Sequence, residues 1–367
     1  WIITRFDILK PSEALAIVAE DRSDRPSYPG LSTTREIETV LLQSWGQRRD
    51  QRTAFRRMAR DMAERYLQKH PLLGPRRLVE LGNLLSEAPE PLSDAKLADL
   101  AKHVTSVQKR LKITDSRRQE LAETVEAYRK GGSAAPADVQ LAMLSILLHR
   151  YSKRTKGQTS LFGDDPEPSK PLAANVGVYE AARIHLLHRY ERAYFFGTDD
   201  LCDASSENAE LFLQLSATLV DTVATQVIRS KPAMLDSGIQ HRLLRDRARK
   251  IIDHWSFPFV EQVRKLVSAI AAKCVETSLL PNGWLVPNAY GILQSEFDSL
   301  AANYPDCARV LQFAVAYNAV LVVPRYDCKD KEWCLLELAG HGLTLKRGGF
   351  LEGTAADLNA ILGESPP

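Results

Sequence analysis

Apolar residues recur at helical spacing along most of this chain, which predicts a mainly helical protein. Three helices of the second half show the clearest apolar faces. We expect Ser206 to be the N-cap of the first and Ser237-x-x-Gln240 to form a capping box at the second; the third covers about residues 259–279. Their predicted buried residues are Phe212, Leu215, Leu219 and Val223, then Ile239, Leu243, Ile251, Ile252 and Trp255, then Val263, Leu266, Val267, Ile270 and Cys274.

The first half is less regular. Residues 1–9 have the composition of a strand, and Thr33-x-x-Glu36 predicts a helix start. A further helix is expected to bury a stripe of large residues: Phe55, Met58, Ala59, Met62 and Tyr66. Residues 131–136 and 155–177 are rich in Gly and Pro, and we interpret them as flexible segments flanking one helix.

The pattern changes near the C-terminus. Residues 289–300 and 307–318 favour helices, and two β-prone runs, 319–323 and 333–338, follow around the polar turn 327–331. Two such runs around a polar loop predict a hairpin. Helices followed by a hairpin are the order expected of a winged helix, and many other α+β modules share this order.

Composition excludes several classes of protein. The net charge of +2 gives no molecule-wide field for nucleic acid, so a polyanion site has to be a local patch. The five cysteines include no Cys-x-x-Cys pair, which argues against a zinc knuckle and favours reduced thiols in the cytoplasm. No apolar run approaches the roughly 20 residues that span a bilayer, so no membrane is expected.

Complete catalytic motifs are absent from the sequence. There is no G-x-x-x-x-G-K-[ST] loop to hold nucleotide phosphates, and no G-x-G-x-x-G, G-x-S-x-G or H-E-x-x-H. We therefore expect that this chain alone neither binds ATP tightly nor hydrolyses it.

Two groups of residues have the chemistry of metal ligands. Asp199, Asp200 and Asp203 could hold Mg²⁺, but aspartates serve equally well in turns and helix caps. His185 and His188 share a helix face, but no third ligand lies at helical spacing, and a polar helix surface accounts for them.

A nuclease interpretation rests on Asp327, Asp330, Lys331 and Glu332. Paired carboxylates with a lysine support phosphodiester cleavage when they converge from rigid elements. A hairpin turn does not provide that rigidity, so this interpretation ranks third.

Arginines form two clusters on predicted helices and a basic segment after the hairpin. Such clusters suit a DNA backbone or a nucleotide phosphate. They also suit solvated helix faces balanced by Asp61, Glu64, Asp246 and Asp253. The members are Arg56, Arg57 and Arg60; Arg242, Arg245, Arg247, Arg249 and Lys250; and Lys346 with Arg347.

The order of features after residue 193 is distinctive. It runs through Tyr194-Phe195-Phe196-Gly197-Thr198-Asp199-Asp200, residues 205–212, the arginine-rich helix ending at Trp255, residues 257–264, Pro281-Asn282, residues 288–292 and the hairpin. Over about residues 176–352 this order resembles bacterial AAA+ ATPases related to the origin-recognition family.

The resemblance implies a fold and a set of ligands. In that family a P-loop core precedes a helical lid and a winged-helix domain that holds DNA. Residues 206–255 would be lid-like and 257–350 the winged-helix part, and ATP with Mg²⁺ would be the cofactors by resemblance only. Because the P-loop and a convincing Walker B strand are missing, either the nucleotide-binding half lies upstream of Trp1 or was excised, or the chain is a degenerate relative. No catalytic residue carries over.

Together these observations predict a mainly α protein with an α+β C-terminal module, in which a helical lid-like bundle precedes a winged-helix-like domain. The expected divisions are an N-terminal helical region, a linker region with one helix, the lid-like domain, the winged-helix-like domain and a tail. Their bounds are 1–130, 131–177, 178–255, 256–352 and 353–367.

The expected function is that of a DNA-associated AAA+ class protein in bacterial genome maintenance or phage defence. Double-stranded DNA is the expected partner, held by Arg309 and Gln312 on the helix before the hairpin and by Lys346 and Arg347 after it. Self-association or a protein partner is the second expectation. The alternative is a non-enzymatic helical adaptor whose C-terminal module binds another protein.

Overall fold

The protein is mainly helical. A computed structural model describes residues 10–12, 14–15, 49–130, 132–157, 172–279, 289–328, 331–340 and 350–363. The helices are α1 (Arg49–Lys69), α2 (Leu81–Leu84), α3 (Asp94–Arg110), α4 (Asp115–Glu126), α5 (Ala137–Gly157), α6 (Val176–Tyr190), α7 (Gly197–Ala204), α8 (Ala209–Ile228), α9 (Ser237–Asp253), α10 (Val260–Leu279), α11 (Gln294–Asp298), α12 (Leu300–Asn303), α13 (Pro305–Ala316) and α14 (Ala355–Gly363).

One hydrophobic core joins α3, α4, α5 and α6. Helix α5 supplies Val139, Met143 and Leu147, all fully buried. A two-residue ribbon, β1 (Arg129–Lys130) with β2 (Ser133–Ala134), connects α4 to α5. The expected division at residues 130 and 177 cuts across this core, because α5 lies inside it rather than in a linker.

A second core joins α1, α2, α7, α8 and α9. Helix α8 buries Phe212, Leu215, Leu219 and Val223 completely, as its periodicity predicts. Helix α1 differs from its prediction because Met58 and Tyr66 are exposed. The prediction is confirmed for Phe55 and Ala59, and Met62 packs half-buried against the same core. Ala63 and Leu67 complete the buried face.

The C-terminal module is an α+β unit with its own core. Its strands are β3 (Ala289–Leu293), β4 (Val320–Cys328), β5 (Lys331–Leu338) and β6 (Phe350–Glu352), in the order β4-β5-β3-β6. The first three strands are antiparallel neighbours, and β6 runs parallel to β3. Helices α10 to α14 pack against this sheet, and α10 buries its predicted face.

The predicted hairpin is confirmed as β4 and β5, and the helix expected over residues 289–300 is wrong for its first five residues. Strand β3 occupies the first five of these residues, and α11 follows. The aromatic, β-prone residues 192–196 form a loop between α6 and α7 rather than a strand, and Gly197 begins α7.

Two predicted helix caps are also wrong. Asn208, not Ser206, caps α8 by accepting the Leu211 N–H at 3.0 Å. Ser206 Oγ instead accepts the Gly340 N–H at 2.8 Å, which ties the end of β5 to the helical body.

The capping box at α9 does not form, because its residues bind other segments. Ser237 Oγ accepts the Glu90 N–H at 2.9 Å. Gln240 accepts the Gly197 N–H at 2.8 Å and donates to the Ser86 carbonyl. These contacts hold the start of α9 against the segment before α3.

Within the described ranges, α8 is the one helix long and apolar enough to cross a bilayer. By length and composition α8 therefore contradicts the expectation that no apolar run approaches 20 residues, and its apolar face packs in the second core. The strand predicted at residues 1–9 and the helix start at Thr33 lie outside the described residues.

Candidate functional site

The acidic cluster on α7 is neutralised by arginines rather than open to a metal ion. Arg56 binds Asp199 and Asp203, each at 2.9 Å, and Arg60 binds Asp199 at 2.5 Å. The sequence analysis treated the acidic residues of α7 and the arginines of α1 as separate candidate sites. In the structure they form ion pairs with one another.

The third aspartate has a more buried partner. Arg183 is 5% exposed and donates to Asp200 at 2.6 Å, and its guanidinium lies 4.2 Å from the centre of the Tyr194 ring. Burial lowers the pKa of Arg183, but Asp200 and Tyr194 outweigh that effect and raise it. Across the part of the chain that the structure describes, no three His, Cys, Asp or Glu side chains form a metal site.

The histidines of α6 belong to a cluster between helices. His185 stacks on His103 with ring centres 6.3 Å apart, and His149 lies near enough to interact electrostatically with His103. Burial and the Arg189 guanidinium lower the pKa of His185 to about 4. This ring is therefore neutral near pH 7.

A basic cleft of about 570 Å³ lies where α3, α6 and α9 meet. Five cationic side chains and three acidic ones line it, together with His241. We call it the arginine cleft. Its charged lining residues are Lys96, Arg192, Arg242, Arg245, Arg249, Glu90, Glu191 and Asp246.

Some of these charges already have partners within the protein. Arg192 is buried and paired with Asp138, which is also buried. Lys96 donates to the Tyr190 carbonyl at 2.7 Å. Asp246 lies 3.7 Å from Arg249 in an exposed pair, which contributes little.

His241 forms part of the cleft wall and is 7% exposed. Its Nδ1 accepts the Phe195 N–H at 3.3 Å, and the two rings stack at 6.0 Å. Burial and Arg245 lower the pKa of His241 to about 4, so the ring is neutral and its proton is on Nε2. Within the described part of the chain, Nε2 has no hydrogen-bond partner.

The residues predicted to contact DNA do not form one exposed surface in the described part of the chain. Gln312 lies on α13 with no exposed surface and accepts from Arg309 at 3.2 Å. The Arg309 guanidinium also covers the Phe313 ring at 5.1 Å. Base contact by Gln312 would therefore require α13 to move, and its position does not support that role. Lys346 and Arg347 lie outside the described residues.

The sequence contained part of the signal for the arginine cleft. Arg242, Arg245 and Arg249 recur at helical spacing, which places them on one face of α9. His241 shares this spacing, four residues before Arg245, but its hydrogen bond to the 191–196 loop could not be read from the sequence. Lys96 gave no signal, because its place in the cleft depends on how α3 packs near α9.

Comparison with protein-family models, curated proteins and solved structures finds no significant match.

Proposed function

We propose that this protein is DNA-associated and that its C-terminal module is of the winged-helix type. The observation that carries the proposal is the element order α10–β3–α11/α12–α13–β4–β5, with β5 between β4 and β3 in the sheet. This helix–strand–helix–helix–hairpin order is that of a helix-turn-helix with a hairpin wing, a family of folds that commonly binds duplex DNA.

The resemblance to AAA+ ATPases supports the proposal that the protein belongs to that class. On the same resemblance we propose ATP and Mg²⁺ as its cofactors and a role in genome maintenance or phage defence. Because the sequence has no phosphate-binding loop, we assign no ATPase activity to this chain. We place the protein in the cytoplasm, which suits five free cysteines.

The DNA contacts are expected to be phosphate contacts. Since Gln312 is buried, base readout through α13 is poor in this conformation. Exposed cations on the hairpin, Arg325 and Lys331, and the segment with Lys346 and Arg347 are the candidates for backbone contact. Binding through phosphates alone is weak and largely independent of DNA sequence.

The test is a titration of labelled duplex DNA with the full chain at low salt. Lys346→Ala/Arg347→Ala should weaken binding about tenfold, because two phosphate contacts are lost. The matched control is Lys102→Ala/Lys109→Ala, which removes the same charge from the exposed face of α3 and should have little effect.

One observation favours the adaptor alternative. Residues 256–367 contain nine Lys and Arg against twelve Asp and Glu, a net charge of −3. An acidic module repels DNA but not a basic protein surface. Absence of DNA binding at low salt, or equal effects of the two double variants, would favour the adaptor.

A further inference from the structure

The arginine cleft belongs to the helical body, and no part of the proposed DNA contact uses it. Of its cations, Arg242 is exposed and has no ion pair with any residue that the structure describes. Arg245 is half-buried beside Arg249, and burial together with that guanidinium lowers its pKa. Like charges gathered in a depression raise the local concentration of anions.

The cleft also contains a buried hydrogen-bond donor, on the histidine in its wall. His241 is held in one tautomer by the Phe195 N–H, so its proton stays on Nε2, a donor buried in the cleft wall. A buried donor without an acceptor costs free energy, and such groups in native structures call for an explanation. An acceptor oxygen on a bound ligand would satisfy it.

We propose that the arginine cleft binds a phosphate group, which accepts from His241 Nε2 and is neutralised by Arg242, Arg245 and Arg249. Phosphate oxygens are strong acceptors, and guanidinium groups bind them in a bidentate manner. A volume of about 570 Å³ has room for a small phosphorylated molecule around that group.

Glu90 determines where in the cleft the group lies. A side chain added at Gly238, in the first turn of α9, would approach Glu90 Oε2 to 2.7 Å. This carboxylate therefore covers the start of α9 and repels a phosphate from the helix terminus. The phosphate is placed further along α9, on the face with the three arginines.

The phosphate group could belong to a small phosphorylated ligand or to the 5′ end of a nucleic-acid strand. Both present the same terminal group to the cleft. The experiment therefore includes one arm for each source.

The probe is inorganic pyrophosphate without Mg²⁺, titrated into the full chain by calorimetry at low ionic strength. Arg242→Ala/Arg249→Ala should weaken its binding by about tenfold or more. Arg247→Ala/Lys250→Ala removes the same charge from the same helix at residues that do not line the cleft, and should change binding by less than about twofold.

A separate variant tests the contribution of the His241 Nε2–H donor. His241→Asn retains an acceptor near the position of Nδ1 for the Phe195 N–H and removes the Nε2 donor. It should weaken pyrophosphate binding about tenfold. If it does not fold, as judged by circular dichroism, the two arginine variants decide the proposal.

No saturable binding to the wild-type chain would overturn the proposal, as would equal losses in the two arginine variants. Unchanged binding in a folded His241→Asn variant would overturn the role of the histidine.

Competition by 5′-phosphorylated and 5′-hydroxyl oligonucleotides then separates the sources. Competition by the phosphorylated strand alone supports a nucleic-acid end, and competition by neither supports a small ligand. Equal competition by both would assign the cleft to the nucleic-acid backbone and contradict a terminal phosphate. Because the C-terminal cations are intact in every variant, failure here leaves the DNA proposal unaffected.

Discussion

At the scale of single residues, the arginines determine what the acidic side chains can do. Asp199 and Asp203 resemble metal ligands in the sequence, but Arg56 and Arg60 bind both of them. Sequence spacing shows which side chains share one helix, but it does not show their partners. Here the partners of the aspartates lie on another helix, more than a hundred residues away. The acidic cluster is therefore explained as a contact between α1 and α7.

The most buried ion pair, Arg192 with Asp138, should be important for stability. Asp138→Asn leaves the Arg192 charge buried without its counterion, which typically costs about 3–5 kcal/mol. The free energy of unfolding in urea measures this. Asp61→Asn is the control, because its pair with Arg65 is exposed and contributes less than about 1 kcal/mol. Equal losses in the two variants would contradict a structural role for the buried pair.

Buried neutral histidines should make stability depend on pH. His185 and His241 have a pKa of about 4 in the folded protein, below the ordinary 6.5 expected in the unfolded chain. Between these values the unfolded state binds more protons, so stability falls as the pH drops from about 6.5 to about 4. The loss should be on the order of 3 kcal/mol per histidine.

Urea unfolding at several pH values measures this dependence, and His185→Leu should make it shallower than in the wild-type chain. A dependence of the same steepness in both proteins would show that His185 is not the group responsible.

At the scale of elements, periodicity predicted the buried face well on two of the three clearest helices. On α9 the apolar residues predicted to be inward are only half-buried, and Gln240, Leu244 and Ala248 are buried. The buried faces of α8 and α10 are those expected, because each helix packs one side against a core.

On α1 the prediction was right for Phe55 and Ala59 and wrong for the large Met58 and Tyr66, which face outward. The small Ala63 lies at the contact. Large apolar residues identify a helix more reliably than they identify its buried face.

Strand β3 illustrates a limit of local patterns. Four of its five residues are buried on the two faces of the sheet, so it lacks the alternation of a half-exposed strand. Its partner β5 lies about forty residues later, and only that pairing distinguishes it from a short buried helix. The two helix-cap predictions were wrong for a similar reason, because Ser206 and Ser237 accept hydrogen bonds from backbone N–H groups far away in the sequence.

The junction between α9 and α10 depends on Arg264. Its guanidinium donates to the carbonyls of Ile252, Asp253 and Trp255 at 2.9–3.0 Å, which satisfies the C-terminal end of α9. Arg264→Ala should therefore lower the free energy of unfolding by about 1–3 kcal/mol. Thermal unfolding of the variant and the wild-type chain measures this loss. Lys273→Ala, at an exposed position of α10, is the control. A loss no larger than that of the control would contradict this role.

At the scale of the whole molecule, charge is divided between its parts. Residues 1–255 contain 39 Lys and Arg against 34 Asp and Glu, and residues 256–367 are net acidic. The near-neutral total therefore conceals a basic body and an acidic module. Anionic ligands should be drawn first to the body, which contains the arginine cleft.

The chain alone should not hydrolyse ATP. It lacks the backbone loop and lysine that hold nucleotide phosphates, and the α7 aspartates are paired with arginines. A phosphate-release assay with Mg²⁺ should give the same rate with and without protein. Turnover by the purified chain, lost on Asp199→Asn/Asp200→Asn, would mean that these carboxylates form a site despite their pairing.

The measurement that tests DNA association most directly is the salt dependence of duplex binding by the full chain. Affinity should fall steeply as salt rises, with a slope set by the number of phosphate contacts. Lys346→Ala/Arg347→Ala should make the slope of log K against log salt shallower by about two units. Binding that is absent at low salt, or a slope unchanged by this double substitution, would contradict the proposal that the C-terminal module holds DNA.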